Sequence, residues 1–108
     1  TRLCTKYGLE EANFGHVGDG NMHVNILFPE ERPDWHGIVD ELLDELYDFT
    51  ASIGGTLSGE HGIGLKRQKY MCRVMDASQM ELIHRVKLAF DPNNILNPGK
   101  MISCPDRE

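Results

Sequence analysis

The sequence lacks long apolar runs and concentrated basic charge. No apolar stretch approaches the length of a membrane-spanning helix, and no charged segment followed by an apolar one opens the chain as in a signal peptide. The 11 lysines and arginines among 108 residues form no long run, and the net charge is −6. We therefore expect neither a nucleic-acid surface nor a polybasic membrane anchor. This length suffices for one domain with a modest core, over residues 1–108.

Paired cysteines and an initiator methionine are also missing. Cys4, Cys72 and Cys104 are odd in number and contain no C-x-x-C pair, which supports neither a zinc ribbon nor an iron–sulfur site. We expect free thiols and a cytoplasmic location. Residues 1–7 have the pattern of the end of a helix that Gly8 terminates. The sequence therefore predicts a piece of a longer protein, cut within a domain.

Several catalytic motifs are absent. The run Gly59–Lys66 departs from the P-loop because an extra residue separates Gly64 from the lysine. The run Gly62–Arg67 fails the dinucleotide pattern G-x-G-x-x-G. Neither H-E-x-x-H, H-x-x-E-H nor G-x-S-x-G occurs in the chain.

Residues 13–28 predict a β-hairpin. Apolar side chains recur with a period of two along its second half, at Met22, Val24, Ile26 and Phe28. This period is typical of a strand with one apolar face. A short loop at residues 18–21, rich in residues that tolerate positive φ, would place His16 directly opposite His23. Their Cβ atoms would then be about 4.5–5.5 Å apart.

Two amphipathic helices are predicted. The first runs from a cap at Asp34 to about Ser52 and ends at Gly54-Gly55. Its apolar stripe, expected in the core, is Trp35, Ile38, Val39, Leu42, Leu46, Phe49 and Ile53. Its acidic residues, expected on a solvated face, are Asp40, Glu41, Asp44, Glu45 and Asp48.

The second helix begins at a capping box formed by Asp76 and Gln79, and Asp91-Pro92 ends it after Phe90. Its expected buried side is Met80, Ile83, Val86, Ala89 and Phe90. Residues 56–64 predict a brief strand followed by a loop, and the pattern of residues 94–100 is too regular for a flexible end. The order of elements predicts an α+β fold, an antiparallel sheet with helices packed on one face.

Two glycine-rich segments carry the candidate chemistry. His16 and His23 flank the hairpin turn, and Glu60 lies in the second segment. Two imidazoles and one carboxylate are typical of a catalytic zinc site with an open position, and the set also suits manganese or iron. The sequence therefore predicts a divalent metal site.

His61 and Asn25 are candidates for work beside that metal. Neighbours in an extended chain point to opposite faces, so His61 should not share the ion with Glu60. In a bent loop His61 faces the substrate as a general base, or it is a hydrogen-bonded residue that shapes the loop. Asn25 lies two residues beyond His23 on the same face. It orients a substrate oxygen or is a satisfied polar residue on a wet face.

Three segments, Gly15–His23, Gly59–Gly64 and Asn97–Lys100, together resemble the C-terminal domain of FAD-linked oxidases, flavoenzymes of the vanillyl-alcohol oxidase type. The similarity extends over about residues 13–101. Glycolate oxidase and D-lactate dehydrogenase are members of this kind. The resemblance implies part of a larger cap or substrate domain in an FAD-dependent enzyme that oxidises D-2-hydroxy acids, with hydride passing to the flavin.

The resemblance also implies residue roles. His16, His23 and Glu60 bind a divalent metal, often zinc, and His61 is a base or stabiliser near the flavin. Asn25 contacts the substrate, Asn97 lies near the flavin ring, and Lys100 is a weaker candidate for the same region. FAD is bound mainly by an upstream domain, so this chain alone is expected to be inactive. The electron acceptor that reoxidises the flavin is not identified.

Two other function classes remain open on the residues alone. A metal-dependent hydrolase would use the same ligands to activate water. A non-catalytic metal-binding or oligomerisation module would bind metal without turnover. The Asn97–Lys100 segment favours the flavoenzyme interpretation because neither alternative gives a reason for it.

Overall fold

The computed structural model describes residues 2–29 and 33–102, and Cys104 lies outside this range. Contacts divide the chain into two compact units, Thr1–Thr50 and Ala51–Glu108. Short antiparallel strand pairs and helices confirm the predicted α+β class. Among the described helices, none combines the length and the apolar character required to cross a membrane.

The first unit contains the predicted hairpin. Its strands are β1 (Glu10–Glu11), β2 (Phe14–His16), β3 (Asn21–His23) and β4 (Ile26–Leu27). β1 pairs with β4 and β2 with β3, both antiparallel and in one continuous register. The hairpin is confirmed, and its first arm begins earlier than residue 13.

The core of the first unit lies between the hairpin and two helices. Helix α1 (Arg2–Lys6) ends as predicted at Gly8, which has a φ of +65°. Helix α2 (Trp35–Ser52) confirms the first predicted helix. The buried cluster is Cys4, Leu9 and Leu42, with Tyr7, Ile26, Phe28 and Ile38 packed against it.

The predicted apolar stripe of α2 is only partly buried. Leu42 is 1% exposed, and Ile38 contacts the same cluster. Trp35, Phe49 and Ile53 are exposed, so the expectation that they lie in the core is wrong for these three. The cluster of this unit includes the first half of α2, at Ile38 and Leu42, and does not extend to its last turns.

Glu45, on the predicted solvated face of α2, also contacts α1 and the residue that follows it. Its carboxylate forms an ion pair with Lys6 and accepts a hydrogen bond from the Tyr7 hydroxyl at 2.6 Å. The hydrogen bonds from Lys6 and Tyr7 hold the pKa of Glu45 below its usual value. Glu45 therefore ties α2 to the end of α1.

The second unit begins with irregular chain. Residues 56–64, all described, form bends and turns, so the brief strand predicted there is wrong. Gly62 and Gly64, in the part of the segment predicted to be a loop, have φ values of +72° and +58°. A 3-10 turn at Gln68–Tyr70 and helix α3 (Met71–Val74) follow.

Helix α4 (Ala77–Phe90) confirms the second predicted helix and its capping box. The backbone amide of Gln79 donates to the Asp76 carboxylate at 2.8 Å, and the backbone amide of Asp76 donates to the side-chain oxygen of Gln79 at 2.9 Å. Met80 is buried and Ile83 half-buried, as expected. Val86, Ala89 and Phe90 are exposed, Phe90 by 83%, so the predicted buried side is wrong over the second half of the helix.

Asp91 fixes the chain that follows α4. Its carboxylate is 4% exposed and accepts hydrogen bonds at 2.9 Å from the backbone amides of Ile95 and Leu96. It also forms an ion pair with Lys87, which lies one turn earlier on α4. The Lys87 hydrogen bond lowers the pKa of Asp91 most, and the two backbone amides lower it further. The regular tail predicted from the sequence is thus an ordered segment built on Asp91.

We expect Asp91→Asn to lower the thermal midpoint by several degrees at pH 7, because an amide cannot neutralise Lys87 or accept from both backbone amides. A lowered pKa means that the stabilisation by Asp91 is complete above about pH 4, the usual carboxyl value. It is lost as the pH falls through the folded value, so wild type and variant converge in acid. Thermal unfolding followed by circular dichroism across pH measures both effects.

Asp76→Asn is the matched control at the other end of α4. It removes the same charge, but asparagine caps a helix as well as aspartate does, so we expect little change. Equal midpoints for the two variants at neutral pH would contradict the role given to Asp91.

Candidate functional site

The turn between β2 and β3 determines where the two histidines lie. Gly20 adopts the left-handed conformation, and its amide donates to the Val17 carbonyl at 3.2 Å. The turn therefore uses residues 17–20, one position earlier than predicted. As a result His16 pairs with Asn21 and Phe14 with His23. The predicted direct opposition of His16 and His23 is wrong.

His16 and His23 nevertheless share one face of the hairpin. Asn21, the partner of His16, is two residues from His23, and strand side chains repeat on one face with a period of two. The histidines are thus diagonal neighbours, a spacing within reach of long side chains. Their ring centroids are 6.0 Å apart, with 74° between the ring planes.

This pair of imidazoles fits one divalent ion. Zinc–nitrogen bonds of about 2.0–2.1 Å place two coordinating rings roughly 5–6 Å apart, centre to centre. The observed 6.0 Å is within small side-chain rotations of that value. The ring of Phe14 lies 4.9 Å from that of His23 and covers one side of it. His16 is exposed and His23 half-buried, so both rings are accessible to a ligand.

Gly15 lies on β2 opposite Met22 of β3. It has no room for a side chain. A Cβ at this position would lie 2.1 Å from the carbonyl oxygen of Asn21 and 3.0 Å from the Cα of Met22. The glycine therefore permits the close backbone approach that sets the histidine pair.

Asn25 has a role inside the hairpin. Its side-chain amide donates to the Ala12 carbonyl at 3.0 Å, and the Ala12 amide donates to the Asn25 carbonyl at 2.9 Å. These bonds bridge the gap between the two paired parts of the hairpin. They are the satisfied polar contacts that the sequence left open as one interpretation, and the substrate contact stays a prediction.

Glu60 and His61 lie together in the second unit, in the glycine-rich loop. The bend brings the Glu60 carboxylate to 3.5 Å from the His61 Nε2, so the alternation expected of an extended chain does not hold here. Both side chains are exposed. The Arg67 guanidinium donates to the Gly62 carbonyl at 3.1 Å and braces the loop directly after His61.

Asn97-Pro98-Gly99-Lys100 forms a tight turn with the features of a type II β-turn. The Lys100 amide donates to the Asn97 carbonyl at 3.3 Å, and Gly99 has a φ of +69°. Proline presets the second position of such a turn and glycine supplies the positive φ of the third. Backbone geometry therefore gives a reason for two of these residues, in addition to the family resemblance of the segment.

Two side chains not singled out from the sequence hold this turn. The buried Gln68 donates to the Gly99 carbonyl at 3.2 Å, and Lys87 donates to the Leu96 carbonyl at 2.8 Å. The sequence predicts for Asp91 only a role in ending α4. The i, i+4 spacing of Lys87 and Asp91 was a visible signal for this contact, whereas no local pattern marks Gln68.

Comparisons with known proteins agree on one family. Residues 1–101 match the family model described as FAD linked oxidases, C-terminal domain. The chain is 43% identical to glycolate oxidase subunit GlcD of Escherichia coli K12 over 94% of its length and 20% of the relative's. It is 41% identical to a D-lactate dehydrogenase of Archaeoglobus fulgidus, over 93% of the chain and 22% of the relative.

A further relative is a D-2-hydroxyglutarate dehydrogenase of Stutzerimonas stutzeri, 35% identical over 84% of the chain and 20% of that protein. The chain thus spans about a fifth of the length of the curated relatives it matches.

Gly15→Ala tests the close approach of β2 and β3. We expect it to reduce the free energy of unfolding by about 1–3 kcal/mol, because the new methyl group forces the backbones apart. Gly18→Ala is the matched control in the same turn. Its Cβ meets nothing within 4 Å, so we expect the free energy of unfolding to stay the same or to rise by up to about 1 kcal/mol. Urea unfolding measures both, and equal effects would contradict the close approach.

Proposed function

The chain belongs to the family of C-terminal domains of FAD-linked oxidases, and we propose on this basis that it is the substrate-side part of an FAD-dependent D-2-hydroxy acid dehydrogenase. The observation that carries the proposal is the set of relatives. They are named for glycolate, D-lactate and D-2-hydroxyglutarate, which share a hydroxyl group next to a carboxylate. The family also favours this proposal over a hydrolase or a non-catalytic metal-binding module.

We propose that His16, His23 and Glu60 bind one divalent cation, zinc in the first instance and manganese or iron as alternatives. The spacing of the two imidazoles on one hairpin face supports the first two ligands. Glu60 belongs to the other unit, and its place in the set rests on its residue type in the second glycine-rich segment and on the sequence resemblance. When bound, the cation would polarise the hydroxyl and carboxylate oxygens of the substrate.

His61 is the proposed base. Its imidazole is exposed and therefore accessible to substrate, and Arg67 donates a hydrogen bond to the carbonyl of Gly62, the next residue of the bent loop. A base must receive the hydroxyl proton as the α-carbon is oxidised, and a ring nitrogen of histidine exchanges protons near neutral pH. The neighbouring Glu60 carboxylate lies 3.5 Å from the His61 Nε2.

Asn25 and Asn97 are the proposed contacts to substrate and flavin. Asn25 lies in the same hairpin as the histidine pair, and Asn97 opens the turn that Gln68 and Lys87 hold. FAD, when bound, supplies the electron acceptor that amino-acid side chains lack. We propose that it is held mainly by an FAD-binding domain elsewhere in the protein. A cytoplasmic location also remains a proposal, to which the free thiols of Cys4 and Cys72 conform.

The metal proposal is tested by metal content in the full-length, flavin-containing protein. We expect His16→Ala, His23→Ala and Glu60→Ala each to lower bound metal about tenfold or more, since loss of even an outer partner of a ligand costs about 10–100-fold in affinity. His84→Ala, an exposed histidine on α4, is the control that should retain metal. Elemental analysis after dialysis gives the stoichiometry, and unchanged occupancy in the three variants would end the ligand assignment.

The base proposal is tested by flavin reduction under anaerobic conditions, followed by stopped-flow absorbance. We expect His61→Gln to retain metal and FAD but to slow reduction by a D-2-hydroxy acid about 10²–10⁴-fold. His36→Gln, on the exposed first turn of α2, should leave the rate unchanged. A normal rate in His61→Gln removes His61 from this role. Failure of glycolate, D-lactate and D-2-hydroxyglutarate to reduce the wild-type flavin would count against the proposed function itself.

A further inference from the structure

Lys87 makes two contacts at the end of α4 that the proposed chemistry does not require. Its ammonium forms an ion pair with the Asp91 carboxylate and donates to the Leu96 carbonyl at 2.8 Å. The Lys87 side chain is 20% exposed and that of Asp91 4%. An ammonium group this buried, shared between a carboxylate and one particular carbonyl, holds those two groups in a defined geometry.

The carbonyl that Lys87 contacts belongs to the peptide group joining Leu96 to Asn97. A peptide group is planar, so fixing the Leu96 oxygen also fixes the plane of the Asn97 amide. Asn97 has a φ of +49°, as does Asn94. Asparagine tolerates this left-handed conformation better than other residues with a side chain, and the contacts on Leu96 fix the peptide group that precedes it.

Asp91 restrains the same peptide chain from its donor side. Its carboxylate accepts from the amides of Ile95 and Leu96, while Lys87 donates to the carbonyl that follows. The amide of Leu96 is thus hydrogen-bonded to Asp91 and its carbonyl to Lys87. Asn97 is the residue that directly follows this restrained peptide.

We propose that Lys87 is a positioning residue for Asn97. In this role Lys87 sets the direction of the Asn97 side chain toward the flavin. This inference rests on the flavin contact proposed above for Asn97. Lys87 itself acts at one remove, through the Leu96–Asn97 peptide plane, and contacts neither flavin nor substrate in this role.

The far end of the turn is held independently of Lys87. Gln68 donates to the Gly99 carbonyl, and the Met101 amide donates to the Gly64 carbonyl at 2.9 Å. Removal of the Lys87 ammonium should therefore release the Asn97 end of the turn and leave its other end in place. A local change at Asn97, without loss of the fold, is the expected consequence.

The test uses the full-length, flavin-containing protein with Lys87→Met, Lys87→Arg and the control Arg85→Met. Arg85 is exposed on the same helix, and it forms an ion pair with Glu81, one turn earlier on α4. We expect Lys87→Met to raise hydrogen exchange in residues 94–98, to shift the flavin absorbance bands and to slow flavin reduction about tenfold or more. Lys87→Arg, which keeps the charge and the donors, should recover reduction to within about threefold of wild type.

A double-mutant cycle with Asn97→Ala separates positioning from general stability. If Lys87 acts through Asn97, adding Lys87→Met to Asn97→Ala produces no further spectral shift or loss of rate. Additive losses would overturn the inference. A normal flavin spectrum and reduction rate in Lys87→Met, together with slowed reduction in Asn97→Ala, would also overturn the inference. That result would leave the proposed function unaffected.

An unimpaired Asn97→Ala would overturn the inference together with the flavin contact proposed for Asn97. Lys87→Gln is the second variant, for use where Lys87→Met does not fold. Its amide still donates one hydrogen bond but carries no charge, so the same shift in spectrum and exchange is expected with smaller amplitude. A wild-type spectrum and exchange profile in Lys87→Gln would overturn the inference on its own.

Discussion

The close approach of two strand backbones at Gly15 is the constraint on which the candidate chemistry of the first unit depends. The carbonyl of Asn21 occupies the space that any side chain at Gly15 would need. Gly20 closes the turn in the left-handed conformation, which fixes the pairing of His16 with Asn21. A shift of this register by one residue on one strand would send one histidine to the opposite face. The imidazole pair is therefore a consequence of glycine positions, and its geometry follows from backbone sterics.

A buried carboxylate has the corresponding place in the second unit. Asp91 gathers the end of α4 and the residues after it, because a carboxylate in so little water must be compensated by donors. Lys87 and the amides of Ile95 and Leu96 provide them. The same contacts hold the amide and the carbonyl of Leu96, directly before Asn97. In both units, then, a local backbone requirement fixes the side chains that are candidates for chemistry.

The sequence predicts the elements well where one local signal dominates. The capping box at Asp76 and the glycine after α1 act over a few residues, and both are confirmed. Burial is predicted less well, because a helix pattern does not reveal how far a neighbouring surface extends. Phe49 and Phe90 belong to regular apolar stripes and are exposed in the structure. Register also escaped prediction, since residues 17–20 and 18–21 are both plausible turns until the hydrogen bond from Gly20 to Val17 is seen.

Several residues of the glycine-rich segments and of the turn at Asn97–Lys100 are required by the backbone conformation. Pro98 and Gly99 satisfy a turn, Gly15 and Gly20 a tight hairpin, and the Asn25 amide a gap in strand pairing. For these residues, backbone geometry explains the residue type without a ligand. His16, His23, Glu60 and His61 are carried by the segments so constrained, and His16, Glu60 and His61 are exposed while His23 is half-buried. A hydroxy acid needs a group to receive its proton and groups to fix its oxygens before its α-carbon can be oxidised. Imidazole and carboxylate groups are of the types that meet those needs, and this chemistry supports the roles proposed for these four residues.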